Sequence, residues 1–379
     1  MVFTLKLFDT KLLRFSAEPK SSDPGYKIIW IDESKKNLLP MDLIPTEESL
    51  ALWIRKRNIP KNRAFVDSFL AKNGLSANRP LGIITVSKGL SLNDSYWITE
   101  EGFEGTFESC NLYKNRFSRL LGNIAFTGYG SSVRSGFSSS PEFTTNGMLP
   151  KCWRRCDGKI QLYKGGTKGA GNTGFEPYSE FYAFQIAEAL GVKAVPYGIS
   201  KWKGELCSTC ALFTSEELSF VPVGRLVREG GFPAVLDFYK SLGKDFENSL
   251  YDMLVFDAVI KNTDRHCGNF GFLVQSHANK IVSPAPLFDH GNSLYSLAGL
   301  DDFDSAQKLA SYDKALQPRV YDDFVEMARR YATAERKATL RKMLDFTFRK
   351  HPRYNLPEQR LKRIEAQVRK NAAEIFWGG

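Results

Sequence analysis

The chain has 379 residues, of which 42% are hydrophobic and 25% are charged, as is typical of a globular protein large enough for two lobes or domains. No apolar run approaches the roughly 20 residues of a membrane-spanning helix, and the first residues lack the cleavage site of a signal peptide, so we expect a cytoplasmic protein without a transmembrane segment. The net charge of +10 favours polyanionic ligands, but no nucleic-acid recognition motif accompanies it.

The amino-terminal third has mainly strand-like patterns. Residues 1–35 alternate as strands do, and residues 46–57 and 61–72 predict two short helices separated by Pro60. Residues 81–98 predict a strand, a turn and a second strand. A loop rich in glycine and serine follows at residues 128–140.

The middle of the chain predicts strands around one helix. Strand-like runs occupy residues 147–155, 158–166 and 192–213, with a hairpin turn at Lys203 and Gly204. The helix is predicted at residues 176–191, with Glu176 as a cap and Pro177 at the first helical position. The pairs Cys152/Cys156 and Cys207/Cys210 are interpreted as buried thiols, with a zinc site as the alternative.

From residue 230 onward helical periodicity dominates. A buried helix is predicted at 246–262, two short strands surround a turn at 275–280, and amphipathic helices are predicted at 318–349 and 357–376. A mainly β half therefore precedes a mainly α half, which indicates an α+β fold. Residues 331–379 hold twelve Lys or Arg and five Asp or Glu. This surface predicts weak, non-specific polyanion binding, unless it is only a solvated helix face.

The segment 261–273, KNTDRHCGNFGFL, concentrates the residue types that phosphoryl transfer needs. Asp264 and Asn269 are spaced so that a tight loop can direct a carboxylate at a substrate hydroxyl and an amide oxygen at a metal ion. Asp289, in LFDHG, follows a strand-like run and adds a second hard oxygen ligand. The order helix, Asp, Asn, strand, turn, strand and Asp is much more specific than any one of these residues.

The upstream half supplies candidates for binding phosphates. Lys164 ends a predicted strand, where its ammonium could reach phosphates, and Glu180 on the next helix could hold it by an ion pair. Lys159 and Glu176 are the competing assignments. Residues 144–151, TTNGMLPK, predict a turn whose backbone amides from Asn146 onward could cover the phosphates.

These motifs resemble the HipA-like branch of the protein-kinase superfamily, most clearly over residues 141–295. The matched positions are the G-x-x-x-K element, the lysine strand, the helix glutamate, the N-x-D-x-H-x-x-N loop and the metal-binding aspartate: Gly147, Lys151, Lys164, Glu180, Asn262, Asp264, His266, Asn269 and Asp289. The first 125 residues do not clearly match the family.

The resemblance implies a two-lobed protein-kinase-like fold with a β-rich N-lobe and an α-helical C-lobe. The expected division is an amino-terminal extension at 1–125, the N-lobe at 126–214 and the C-lobe at 215–379. ATP and Mg²⁺ are the implied cofactors. Asp264, Lys164 and His266 are the implied catalytic residues, and Asn269 and Asp289 the metal ligands. ATP is expected to contact Asn146, Gly147, Lys151, Lys164, Glu180, Phe213, Thr214 and Glu216.

The implied reaction is transfer of the γ-phosphate to a Ser or Thr hydroxyl, with a protein as the expected substrate. The loop NTDRH also resembles phosphatidylinositol 3/4-kinases, so a lipid kinase is an alternative. A second alternative is a catalytically idle regulator that binds nucleotide or DNA. Members of the family are often toxins paired with a DNA-binding partner, so an antitoxin-like partner is also expected.

Overall fold

The computed structural model describes residues 1–59, 64–72, 75–128, 145, 147–169 and 173–378. These residues form two compact units. The first unit contains Met1–Lys164, Leu212–Val221 and Leu273–Val282, and the second contains Gly165–Ala211, Pro222–Phe272 and Ser283–Gly379. This division follows contacts rather than chain order, so the lobe boundaries expected from the sequence stay a prediction.

The strands are β1 (Val2–Leu7), β2 (Thr10–Ser16), β3 (Lys27–Ile31), β4 (Tyr96–Glu100), β5 (Lys151–Cys156), β6 (Lys159–Gly165), β7 (Tyr197–Trp202), β8 (Glu205–Ala211), β9 (Leu218–Pro222), β10 (Gly271–Gln275) and β11 (Lys280–Pro284). The helices are α1 (Glu47–Arg55), α2 (Val66–Lys72), α3 (Pro80–Ser87), α4 (Phe107–Cys110), α5 (Arg119–Thr127), α6 (Glu176–Leu190), α7 (Val223–Leu226), α8 (Gly231–Ser241), α9 (Lys244–Ile260), α10 (Ala306–Ala315), α11 (Phe324–Tyr331), α12 (Ala334–Lys342) and α13 (Glu358–Trp377). Single 3₁₀ turns lie at Glu33–Leu38, Asp301–Phe303 and Met343–Asp345.

The first unit begins with an antiparallel sheet in the order β3-β2-β1-β4. Leu5 pairs with Leu13 on one side and Ile98 on the other, and these side chains belong to one buried apolar cluster. Helix α1 covers this cluster with Trp53, because its apolar residues recur at helical spacing and the Thr46 side chain caps its first turn.

A second apolar cluster joins the first 125 residues to the strands that follow. Leu92, Trp97 and Leu112 form its buried centre, and Trp153 and Ile160 of the β5–β6 hairpin pack against it. The amino-terminal residues therefore share a core with this hairpin inside the first unit. Strands β9, β10 and β11 form a separate three-stranded sheet in the order β11-β10-β9.

The strand predicted at the start of residues 81–98 is wrong, because α3 occupies Pro80–Ser87. The run LGIITVS has β-branched residues but no alternation of apolar and polar residues, and Leu81, Ile83 and Ile84 are buried. Pro80 fits the first helical position, and Lys88 in a left-handed conformation (φ 53°) ends the helix. Burial on several sides thus overrides the strand propensity.

The second unit is built around α9, whose residues from Met253 to Ile260 are buried without exception. The β7–β8 hairpin turns at Lys203 and Gly204 as predicted, and both residues have positive φ. The continuous helix predicted at 318–349 is wrong in extent. Helix α11 begins only at Phe324, capped by Asp323, and a capping residue at Thr333 starts α12 as a separate helix.

Within the described part of the chain, none of the helices combines the length and apolar composition that crossing a bilayer requires. The six cysteines are free thiols. The described residues also contain no group of three or more His, Cys, Asp or Glu side chains that could hold a metal ion, so the zinc alternative gains no support.

Candidate active site

The predicted catalytic loop leaves the end of α9 in the second unit. Helix α9 ends at Ile260, and Lys261 adopts a left-handed conformation (φ 53°) that turns the chain out of the helix. The amide oxygen of the buried Asn262 accepts the backbone N–H of Asp264 at 3.1 Å. Its amide nitrogen donates to Asp257 on α9 at 3.3 Å. Asn262 therefore fixes the backbone at Asp264 to the end of the helix.

Arg265 is the hub of this region and is fully buried. Its Nε and Nη2 donate to the two carboxylate oxygens of Asp257 at 2.8 and 3.0 Å. Its Nη1 donates to the carbonyls of Asn269 at 3.2 Å and Phe288 at 2.7 Å. Its Nη2 also lies 3.1 Å from Nδ1 of His290, which must be the acceptor because a guanidinium only donates. One side chain thus holds together α9, the catalytic loop and the Asp289 segment.

The Arg265–Asp257 pair is buried, and burial acts against both charges. It raises the pKa of the Asp257 carboxyl although Arg265 acts to lower that pKa. Burial lowers the pKa of Arg265, but the charge and hydrogen bonds of Asp257 outweigh this effect and raise the pKa above its ordinary value. Such a buried pair is weak evidence for stability as a whole, but loss of one partner leaves an uncompensated charge. The conformation of the loop around Asp264 therefore depends on both Asp257 and Arg265.

The Asp264 carboxylate is oriented from both sides. Its Oδ2 accepts from Nδ2 of Asn292 at 3.4 Å, and its Oδ1 accepts from Nη1 of Arg319, which lies between α10 and α11. The Asp264 side chain is 34% exposed, so a substrate hydroxyl can reach it. These contacts hold a carboxylate at the surface in one orientation, as a general base requires.

His266 and Asn269 stabilise the loop between them. Nδ1 of His266 accepts the backbone N–H of Gly268 at 3.0 Å, and its carbonyl accepts the backbone N–H of Asn269 at 2.9 Å. Burial lowers the pKa of His266 although Asp264 and Asp289 act to raise it, so the imidazole is neutral at pH 7. The Asn269 side chain donates its Nδ2 to the Asp264 carbonyl at 3.5 Å, which turns its amide oxygen in another direction.

The backbone of the Asp289 segment is hydrogen-bonded to side chains of β7 and α6. The backbone N–H of Asp289 donates to the hydroxyl of Tyr197 on β7 at 3.1 Å. The backbone N–H of His290 donates to Oε2 of the fully buried Glu180 on α6 at 2.7 Å. Burial and then the charge of Glu180 raise the pKa of Tyr197 well above its ordinary value, so this phenol stays protonated. The backbone of the candidate metal-binding aspartate is therefore fixed by Tyr197 and, one residue later, by Glu180.

The same segment has an unusual backbone. Asp289, Leu294 and Tyr295 all have φ between 49° and 61°, in the left-handed region that non-glycine residues rarely adopt. Such conformations cost about 1–3 kcal/mol each and concentrate at functional sites. Their clustering in residues 289–295 supports a functional role for this segment.

The two candidate glutamates of α6 have different partners. Glu180 accepts the His290 N–H as described, and its predicted ion pair with Lys164 stays a prediction. Glu176, the competing residue, does not cap the helix: it is the first helical residue, Phe175 precedes it as the cap position, and its side chain is buried. Both of its carboxylate oxygens accept the backbone N–H of Thr167 at 3.2 Å. Glu176 thus connects the start of α6 to the backbone of Thr167.

The candidate phosphate-binding residues lie in the first unit. Lys151 and Lys164 are direct partners across the β5–β6 hairpin, so both side chains lie on one face, and both are buried. Gly147 has φ 97°, a backbone conformation that favours glycine, and a Cβ there would lie 2.5 Å from Nζ of Lys151. Lys159 is exposed at the other end of the hairpin. Asn146 lies outside the described residues.

The side chains of the predicted adenine-contacting residues contact other residues of the first unit. The Thr214 hydroxyl donates to the carbonyl of Leu92 at 2.5 Å, and the Glu216 carboxylate pairs with Lys114 at 3.1 Å. The ring of Phe213 packs edge-on against Phe220. Sequence reasoning did not predict these contacts, and the expected contact of this segment with adenine stays a prediction.

Several important residues of the site were missed from the sequence. Asp257 could have been identified from the sequence, because it is the only charged residue in the apolar run LVFDAVI. A single carboxylate in such a run is expected to be buried and to need a partner. Arg265 could then have been chosen as that partner. Arg319 carried no such signal, since it is 55 residues from Asp264 in a segment without regular structure.

Comparisons with known proteins support this architecture. No family model matches the sequence. A stretch of 165 residues is 30% identical to the serine/threonine-protein kinase CtkA of Helicobacter pylori, covering 38% of this chain and 48% of that protein. The chain thus matches about half the length of this curated relative.

Two solved structures have a similar fold. The crystal structure of the H. pylori proinflammatory kinase CtkA matches with a TM-score of 0.51 at 20% identity, over 62% of this chain and 92% of that one. HipA of Shewanella oneidensis, solved with HipB and operator DNA, matches with a TM-score of 0.53 at 13% identity, over 98% and 96% of the two chains. The fold is therefore a protein-kinase-like α+β fold. The resemblance to the HipA-like kinases is confirmed.

Proposed function

We propose that this protein is an ATP- and Mg²⁺-dependent kinase of the HipA-like type that transfers a phosphoryl group to a Ser or Thr hydroxyl. The observation that carries the proposal is the loop around Asp264, whose carboxylate is oriented at the surface while Arg265 ties the loop to the Asp289 segment. Similarity to a serine/threonine kinase over 165 residues supports the same reaction.

Asp264 would accept the proton of the attacking hydroxyl and orient that hydroxyl toward the phosphate. Its partial exposure allows the substrate to approach, and its contacts to Asn292 and Arg319 restrict its rotation. His266 would act by holding the loop through Gly268, since its neutral imidazole accepts a backbone N–H. The catalytic contribution of a positioned base is typically about 10²–10⁴ in rate.

The residues present fit a magnesium site. Asn269 offers an amide oxygen and Asp289 a carboxylate, both hard oxygen ligands of the kind Mg²⁺ prefers. Two protein ligands suffice, because Mg²⁺ usually keeps several waters and binds substrate phosphates as well. When bound, the ion would neutralise charge that develops on the phosphates.

Lys151 and Lys164 would bind the phosphates of ATP. The two lysines lie opposite each other on one face of the hairpin, so an anionic phosphate could contact both. Glycine at position 147 lets the backbone there approach Nζ of Lys151, as a loop that covers phosphates requires.

The proposal is tested by incubating the full chain with radiolabelled ATP, Mg²⁺ and cell extract. We expect label on Ser or Thr of a protein, and we expect none with the Asp264→Asn variant. Asp237→Asn is the matched control, because Asp237 is an exposed aspartate on α8 of the same unit. Label on phosphoinositide vesicles but not on protein would favour the lipid-kinase alternative. Nucleotide binding without any transfer would favour the idle regulator.

A partner protein is a further part of the proposal. The similar HipA structure is a complex with HipB and operator DNA, which supports a search for an antitoxin-like DNA-binding partner here. The test is co-purification of the tagged chain with the product of a neighbouring gene, followed by DNA binding with and without that product. Tight sequence-specific DNA binding by this chain alone would contradict the proposed role of a partner.

A further inference from the structure

A loop of the amino-terminal extension contacts the segment that is expected to bind adenine. We define the extension loop as residues 89–96 and the linker segment as residues 212–221. The Thr214 hydroxyl donates to the Leu92 carbonyl at 2.5 Å, and the Phe220 N–H donates to the Asn93 carbonyl at 2.7 Å. These contacts lie wholly within the first compact unit.

Ser95 makes a third contact at the middle of the linker segment. Its hydroxyl donates to the backbone carbonyl of Glu216 at 2.8 Å, and Ser95 itself is fully buried. Lys114, outside the loop, pairs with the Glu216 carboxylate at 3.1 Å. The extension therefore fixes the linker segment at residues 214, 216 and 220 through both main-chain and side-chain groups.

A buried arginine gives the extension loop its shape. Arg57 donates through Nη1 and Nη2 to the carboxylate of Asp94 at 2.9 and 2.7 Å. The same guanidinium donates to the carbonyls of Gly89 at 2.6 Å and Tyr96 at 2.8 Å. Because Arg57 thus binds the start, the middle and the end of the loop, the contacting atoms of Leu92, Asn93 and Ser95 are preorganised.

Apolar packing adds to these polar contacts. Leu90 and Leu92 of the extension loop belong to the buried cluster against which Leu212 of the linker segment packs. A cluster of this kind excludes water from the adjacent hydrogen bonds, and hydrogen bonds shielded from water are the stronger for it. The position of the linker segment therefore depends on the amino-terminal extension.

We propose that the extension loop positions the linker segment for nucleotide binding, with Ser95 and Thr214 as the main positioning residues. This inference rests on the proposed kinase function, because it assumes that the linker backbone contacts adenine. Neither side chain touches the nucleotide; each holds the backbone that does. The extension is then a structural part of the nucleotide site and not a separable substrate-binding domain.

The test compares Thr214→Val, Thr214→Ser, Ser95→Ala and Thr85→Val in the full chain. Thr85→Val is the matched control, since its hydroxyl also donates to a backbone carbonyl of the same unit, that of Gly82 at 2.9 Å, but makes no contact with the linker segment. The readouts are Mg-ADP affinity by calorimetry, KM for ATP and kcat for phosphate transfer, with thermal melting to confirm folding.

We expect Thr214→Val and Ser95→Ala each to weaken Mg-ADP binding and to raise KM for ATP by about threefold to tenfold, the effect of one lost hydrogen bond. The value of kcat should change less than twofold, Thr214→Ser should restore the affinity, and Thr85→Val should match the parent. Unchanged affinity in both Thr214→Val and Ser95→Ala, or an equal loss in Thr85→Val, would overturn the inference. If the parent chain binds no Mg-ADP, the proposed function itself fails, which is a separate outcome.

Discussion

Arg319 forms an ion pair with Asp264 through Nη1 and Oδ1, so the candidate catalytic base has a cationic partner. Because Arg319 is 56% exposed, the pair should contribute less than about 1 kcal/mol to stability. We expect Arg319 instead to compete with the acceptor hydroxyl for Oδ1. Arg319→Ala should lower KM for the acceptor by about twofold to fivefold with little change in kcat.

Steady-state kinetics on the acceptor identified from extract would measure this effect, with Arg319→Lys as the variant that keeps the charge. A tenfold fall in kcat for Arg319→Ala would instead place Arg319 in the transition state. In that case the arginine would stabilise the transferred phosphoryl group and would not act as a competitor.

Asp264→Asn and Asp289→Asn should affect phosphate transfer and nucleotide binding differently. Asp264→Asn preserves size but removes the base, so transfer should fall by about 10² to 10⁴ while Mg-ATP affinity changes little. Asp289→Asn removes a charged metal ligand and should weaken Mg-dependent nucleotide binding as well. Calorimetry with Mg-ATP and a transfer assay on both variants would show the difference. Transfer by Asp264→Asn at near the parent rate would mean that the loop is only a helix–strand turn.

Stability should depend strongly on Arg265. Arg265→Met leaves the Asp257 carboxylate buried and uncompensated, and should lower the free energy of unfolding by about 3–5 kcal/mol. Replacing both partners by apolar residues, as in Asp257→Leu with Arg265→Met, should recover part of that loss. Urea unfolding at pH 7 measures both. If Arg265→Met lowers the free energy of unfolding as little as Arg319→Ala does, the contacts of Arg265 are not important for stability.

Acid should destabilise the protein through His266. Burial lowers the pKa of His266 in the folded protein below its ordinary value of 6.5. Just below pH 6.5 the imidazole is therefore protonated to a greater extent in the unfolded chain than in the folded chain. Stability should therefore fall as the pH decreases from about 6.5 to the folded pKa, and protonation should then break the hydrogen bond from Gly268. Melting between pH 7.5 and 5.5 should shift more for the parent than for His266→Gln. Equal shifts would exclude His266 as the source.

The basic carboxyl-terminal region should bind polyanions weakly. If residues 331–379 bind heparin or DNA through charge alone, affinity should fall steeply between low and physiological salt. Lys362→Glu with Lys370→Glu, both on exposed positions of α13, should reduce the salt slope. Tight binding of heparin or DNA at physiological salt would contradict the expectation that this region binds through charge alone.

Short-range patterns predicted much of the molecule. The α9 helix, the loop after it and the β10–β11 hairpin follow from apolar periodicity and turn residues, which are local properties. Helix α3 was mistaken for a strand because its conformation depends on burial, which a short apolar run does not reveal. The hub formed by Arg265 and the contact of Arg319 with Asp264 depend on distant chain segments, which spacing rules cannot bring together.

The first compact unit is assembled from three pieces of chain, and this arrangement affects how the protein can fold during synthesis. Ser95 and its partner Glu216 are 121 residues apart, and Asn279 donates to the carbonyl of Asn37 across 242 residues. Such non-local contacts form slowly because a long loop must close first. The unit cannot be completed until residue 282 has left the ribosome. Until then, the nascent chain exposes the apolar surfaces and strand edges that later pieces cover, so we expect chaperones to bind it during translation.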